Sequence, residues 1–155
     1  MIVGIDPGPE ESGIAKLSFG RISSVVLSNR DVRALLPALA EDCSALAIEF
    51  IAGSYGNVVG TEVMMTAVWI GRFMEASGLE ESAILLPPRK TVATHHTQNP
   101  RANDSAVRQA LIDRYGGKDK AIGRKADPGP LYGIKSHAWP ALAVALYAID
   151  TLGIQ

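Results

Sequence analysis

Residues 1–8 read Met-Ile-Val-Gly-Ile-Asp-Pro-Gly, and this stretch decides the fold. A short β-branched apolar run ends on a carboxylate, and Pro7-Gly8 then stops the strand with a turn. Asp6 is desolvated there unless something cationic meets it. The simpler alternative is that Asp6 caps the turn that follows, as Asp often does before Pro-Gly.

Working outward, residues 13–19 and 21–28 read as two further strands, joined by a Gly20-Arg21 link short enough for a hairpin. Residues 45–51, Ala-Leu-Ala-Ile-Glu-Phe-Ile, are a nearly continuous apolar run, as in a strand covered on both faces. Residues 83–87 form another short buried strand. Helices are expected over 32–41, 61–76, 104–115 and from His137 to about Leu152. The first would be capped by Asp31, with Leu35, Leu36 and Leu39 inward and Pro37 in its middle. The second carries Val63, Met64, Ala67, Val68, Gly71 and Met74 at helical spacing. The third is capped by Asn103 or Asp104, with Val107, Ala110 and Leu111 inward. Residues 53–60 and 116–136 are expected to be loops. The order β-β-β-α-β-α-β-α-α predicts an α/β fold with a mixed five-stranded sheet. Three strands are antiparallel, two are parallel, and helices cover both faces.

The chain has 155 residues, 47% hydrophobic and 20% charged, which fits one domain over 1–155 and excludes a disordered or fibrous chain. Cys43 is the only cysteine, so neither an internal disulfide nor a multi-cysteine zinc site is available, and a cytoplasmic setting is expected. The first residues lack the pattern of a signal peptide, and no apolar stretch approaches the ~20 residues of a membrane span. A membrane partner is not expected.

Glu49 interrupts the apolar run of its strand, with no Lys or Arg close by in that strand. One reading has it pointing outward at a sheet edge. In the other, Asp6 and Glu49 end two central strands, repel each other, and are reconciled by a divalent metal such as Mg²⁺. His137, in Lys135-Ser136-His137-Ala138-Trp139-Pro140, opens the last helix as a metal ligand, an acid/base group or a polar cap.

Together these residues carry a resemblance. Gly4-Ile5-Asp6-Pro7-Gly8 with Gly13 looks like the opening of RuvC-type Holliday junction resolvases, of the RNase H-like nuclease superfamily. Ala47-Ile48-Glu49, followed by Asn57 and a helix rich in small residues, is similar to the second acidic motif of that family. His137 to Ala145 resembles its closing helix. Actin-like and sugar-kinase ATPases also begin Gly-Ile-Asp-x-Gly, but they need two large lobes. The resemblance implies an RNase H-like domain that hydrolyses the phosphodiesters of four-way DNA junctions by a two-metal mechanism. It also implies a homodimer, with Mg²⁺ or Mn²⁺ as cofactor. Asp6 and Glu49 match the first two metal-binding carboxylates, and His137 stands where the family places Asp or His. The family's further Asp one turn later is Pro140 here. Asp127 is the nearest substitute, Asp104 reads better as a helix cap, and Asp150 lies too far along the helix. A cleavage-deficient junction-binding protein and a nuclease for RNA–DNA hybrids or flaps are the competing readings. A shortened last motif also suits a phage or mobile-element version.

The formal net charge of −1 hides a segregation. Residues 87–135 hold ten Lys and Arg against four Asp, a net +6, and the rest of the chain carries −7. That distribution is the footprint of phosphate-backbone recognition. Arg89, Lys90, Lys118, Lys120, Arg124, Lys125 and Lys135 are the expected DNA contacts, four of them on a flexible Gly-rich loop. Tyr55 is placed to stack on an unpaired base. His95-His96 reads as a polar surface turn. Met64, Met65, Trp69 and Phe73 give the 61–76 helix more bulk than one core face needs, and in the family the corresponding helix helps form the dimer.

Overall fold

The computed structural model describes residues 1–51 and 59–154. Tyr55 and Asn57 lie outside the described residues. Five strands form one sheet: β1 (Ile2–Asp6), β2 (Glu11–Ser18), β3 (Arg21–Ser28), β4 (Ala45–Ile48) and β5 (Ile84–Leu85). Their spatial order is β3-β2-β1-β4-β5. β1 pairs antiparallel with β2 and parallel with β4, so the expected mixed sheet is present, with β1 at its centre. The hairpin between β2 and β3 turns at Phe19-Gly20, one residue earlier than expected. Both residues have positive φ, the geometry of a tight two-residue turn.

Period-two alternation divides the core. Val3, Ile5, Leu46 and Ile48 face one side, where they meet α1 (Asn29–Ala40) and α2 (Thr61–Ser77) through Val32, Leu36, Ile70 and Phe73. Ile2, Ala15, Ala45 and Ala47 face the other. There they meet α3 (Arg89–Thr97), α4 (Asp104–Arg114) and, along most of its length, α6 (Ala138–Leu152). This second face is built from small residues on both sides. A Cβ on Gly4 would fall 2.2 Å from the Ala141 carbonyl oxygen, so α6 lies directly on the backbone of β1. No helix among the described residues is long and apolar enough to cross a membrane.

Several expectations are corrected. The first helix begins at Asn29 and is capped by Ser28, whose hydroxyl accepts from the Asp31 amide; Leu35 faces solvent. The strand at 45–51 ends at Ile48, with Phe50 making an isolated bridge to Pro88. In α2 the buried residues are Thr66, Ile70, Phe73 and Ser77, whereas Val63, Met64, Met65 and Val68 are exposed. Periodicity found the helix there but chose its outer face, because both faces are apolar.

Helix α3 was not expected. Its three Thr, two His and a Val are weak helix formers, and Val92 and Ala93 are the residues it buries. His95 and His96 therefore lie on a helix, not in a surface turn. Residues 116–136 are also more ordered than a flexible loop. They hold α5 (Lys118–Ala121) and a small hairpin of β6 (Gly123–Arg124) and β7 (Asp127–Pro128). Ala121 and Leu131 anchor this segment in the core with no exposed surface.

Candidate active site

Asp6 and Glu49 come together because the sheet register brings them together. Ile5 pairs with Ile48, and the Glu49 amide continues the parallel ladder by donating to the Ile5 carbonyl at 2.9 Å. One step further, Asp6 and Glu49 stand side by side on strands about 4.8 Å apart. Both fall on the α6 face by alternation. On the other neighbour, Asp6 pairs with Gly13. A Cβ there would lie 2.0 Å from the His137 carbonyl oxygen, so only glycine lets the start of α6 approach the strand this closely. His137 Nδ1 consequently sits 2.9 Å from Asp6 Oδ2.

Asp6 is buried, at 6% exposure, and Glu49 keeps 12% of its side-chain surface. Burial raises the Asp6 acid above the ordinary carboxylate range, with the His137 hydrogen bond opposing it. Glu49 is pushed up to about 7, first by burial and then by the neighbouring Asp6 charge, against a lowering effect of Arg89. Arg89, the first residue of α3, donates from Nη1 to Glu49 Oε1 at 3.3 Å and from Nη2 to Asp104. The sequence suggested that no cation was near Glu49. The fold supplies one from 40 residues away.

Glu49, Arg89, Asp104, Ser136, His137 and Trp139 line a cavity of about 410 Å³. Asp104 caps nothing here: the cap of α4 is Asn103, whose side chain accepts from the Ala106 amide. Asp104 perturbs both Asp6 and Glu49 electrostatically. Asp127 sits on the exposed hairpin opposite Arg124 and is not among the charges acting on either carboxyl. Besides Asp6 and Glu49 themselves, the carboxylate that acts on both is thus Asp104, and its signal in the sequence was hidden by its place next to a good cap residue.

The donor set of two neighbouring carboxylates and an imidazole suits a hard divalent cation, and the raising of Glu49 by the Asp6 charge, with Asp104 raising both, marks a surplus of negative charge. Among the described residues no three such side chains converge as they stand, because Asp6 is turned to His137 and Glu49 to Arg89.

Glu49 makes a testable contribution to stability without metal. Its folded acid is raised from the ordinary 4.5 to about 7, so the native state holds the proton more tightly than the unfolded chain. Stability is fully present below about 4.5 and is lost as pH rises to about 7, by roughly 3 kcal/mol. Denaturant titrations across this range should show that fall, and Glu49→Gln should flatten it. An equal slope in the variant would assign the effect elsewhere.

The expected DNA contacts divide in two. Lys90, Lys118, Lys120, Arg124, Lys125 and Lys135 are exposed. Arg89 is engaged by carboxylates; so is Arg114, which grips Asp150 at 2.6 and 2.8 Å and holds that acid down to about 2. Arg108 lies over the Trp139 ring at 4.7 Å. His95 also meets Asp150, at 2.8 Å, and His96 Nε2 lies 2.9 Å from the Ala143 carbonyl; both histidines serve to pack α3 on α6.

A central strand ending in Asp6, a parallel neighbour that Glu49 directly follows and a helix crossing them at His137 make up a fold that the chain shares with solved RuvC structures. The chain is similar to the structure of Thermus thermophilus RuvC, at 17% identity and a TM-score of 0.64, covering 98% of this chain and 96% of that one. It is equally similar to T. thermophilus RuvC in complex with Holliday junction substrate, at 16% identity and 0.64, covering 98% and 95%. No protein-family model and no curated protein matches the sequence.

Proposed function

We propose that the chain is a single-domain, divalent-metal-dependent endonuclease that resolves four-way DNA junctions as a homodimer. The observation that carries this reading is the pairing of Asp6 with Glu49 on adjacent strand ends beneath His137, in a fold shared with a protein solved on a Holliday junction. Asp6 and Glu49 would hold the ion, Mg²⁺ or Mn²⁺, with His137 orienting or completing the set. The ion supplies a polarised water and charge neutralisation at the phosphate. The chain does the rest. Burial of Asp6 fixes its position, His137 Nδ1 orients its carboxyl, and the adjoining cavity would receive the phosphate.

The exposed cations Lys90, Lys118, Lys120, Arg124, Lys125 and Lys135 would follow the DNA backbone, and Tyr55 remains the proposed stacking residue. The exposed Val63, Met64, Met65 and Val68 offer an apolar strip on α2 for a two-fold partner, which would present two sites to two strands.

Cleavage of a synthetic four-way junction against a linear duplex of the same sequence, with Mg²⁺ or Mn²⁺, tests the reading. Preferential, paired cuts in the junction support it; equal cleavage of the duplex would keep the nuclease and remove the resolvase. Salt-sensitive junction binding with no cleavage under any metal would favour a second reading. That reading, a junction-binding protein without nuclease activity, draws on Pro140 in place of an acid and on the absence of three converging donors among the described residues.

A further inference from the structure

We propose that Arg89 is the resident counter-cation of the carboxylate site, which leaves Glu49 when a divalent ion arrives, and that Asp104 is the residue that holds Arg89 in its withdrawn position. The inference rests on the metal-binding reading above, and it gives Arg89 and Asp104 positioning roles that their types alone do not suggest.

Three observations carry it. First, the backbone places Arg89 beside Glu49 independently of its side-chain contacts. The Phe50 amide donates to the Pro87 carbonyl at 2.9 Å and Phe50 bridges Pro88, so the start of α3 is tied to the end of β4. The backbone of Arg89 is therefore held beside Glu49, and its side chain reaches the carboxylate without movement of α3.

Second, its two nitrogens go to different carboxylates. Arg89 does not make the two-pronged bond to one acid that Arg114 makes to Asp150. The contact to Glu49, at 3.3 Å, is long for a charge-assisted bond. A forked, long contact is one that can be given up on one side while the other is kept.

Third, the fork spans a gradient of solvation. Glu49 keeps 12% of its side-chain surface, Arg89 54% and Asp104 69%. A buried carboxylate needs a cation beside it, whereas an exposed pair forms and breaks at little cost. Arg89 thus serves Glu49 until something better does, and it can retire outward to Asp104 by rotation alone. The charge balance agrees. Asp6, Glu49 and Asp104, when ionised, exceed the single Arg89 charge by two, which is the charge of the ion proposed.

Mn²⁺ binding to the full chain, followed by calorimetry above neutral pH without DNA, separates the roles. Arg89→Gln removes the competitor, so Mn²⁺ should bind about tenfold tighter. Asp104→Asn removes the withdrawn position and leaves Arg89 only Glu49, so binding should weaken by about threefold to tenfold. The double variant should bind clearly tighter than Asp104→Asn and within about threefold of Arg89→Gln, since Asp104 acts mainly through Arg89 and adds only its own longer-range charge. Arg89→Lys, which keeps the charge, should stay near the parent, and thermal melts establish that each variant is folded.

Weaker or unchanged binding in folded Arg89→Gln would overturn the proposal, making Arg89 a support of the site instead of its competitor. A double variant that binds no tighter than Asp104→Asn would also overturn it, making Asp104 a contributor to the ion site in its own right. Glu49→Gln distinguishes the levels. Loss of Mn²⁺ binding in that variant upholds the metal site even where the arginine exchange fails. Parent-like binding would remove the metal site and the exchange together.

Discussion

Replacing Asp6 by Asn is expected to abolish metal-dependent junction cleavage, by roughly 10³-fold or more, about 4 kcal/mol of transition-state stabilisation. The same change should leave the protein folded and slightly more stable. Asn has the shape of Asp, its amide oxygen can accept from His137 Nδ1–H, and the surrounding strand is buried along its whole length. What it lacks is charge. In the metal-free protein that charge is a burden: burial raises the Asp6 acid, and Asp6 in turn raises Glu49. Removing it should end the cost of burying that charge, relieve Glu49 and raise the unfolding free energy near neutral pH by on the order of 1 kcal/mol. A variant that is more stable yet inactive is the signature of a site whose strain serves function. Junction cleavage and denaturant midpoints measured on the same preparations provide the check. Persistent cleavage in Asp6→Asn would remove Asp6 from the metal site, and lost stability would mean that its charge is compensated by more than His137.

The parts of this site differ in how far they could be read from the chain. Asp6 and Glu49 were legible because each interrupts an apolar run, and a charge in a buried strand has few explanations. Their juxtaposition followed from the order of strands, since two parallel neighbours present their carboxyl ends at the same edge. Arg89 was not legible as their partner. It sits beside Lys90 in a basic stretch, and only the packing of α3, a helix whose weak local propensity is overridden by α4 and α6, brings it to Glu49. Asp104 was masked in a similar way by Asn103. The inner face of α2 was misread because Val63, Met64 and Val68 are as apolar as Ile70 and Phe73; periodicity finds an amphipathic stripe, and a helix apolar on two sides has none. The net charge of −1 says little for a related reason: it sums a basic stretch over 87–135 with an acidic remainder.

Gly13→Ala is expected to cost about 3 kcal/mol or more of stability, although it adds only a methyl group. Gly13 is not in the left-handed region, so the cost is one of space. The new Cβ would meet the His137 carbonyl oxygen at 2.0 Å, its carbon at 2.4 Å and the Ala138 nitrogen at 2.9 Å. All three are backbone atoms at the start of α6, and none can rotate aside. Either α6 lifts from the sheet or β2 bends, and both loosen a face packed from Gly4, Ala15 and Ala47 against Ala141 and Ala145. A loss of this size lowers the melting temperature of a chain this long by roughly 6–12 °C. Any molecules that stay folded should cleave poorly, because His137 moves with α6 and a displacement of about 1 Å costs on the order of 10²-fold in rate. Gly71→Ala provides the contrast. A Cβ there meets nothing within 4 Å on the exposed side of α2, so the helix should gain about 0.5–1 kcal/mol. Thermal melts of the two variants therefore move in opposite directions. A Gly13→Ala protein that melts with the parent and retains its cleavage rate would mean that α6 does not rest on β2, and that His137 is not held at Asp6 by the absence of a side chain opposite it.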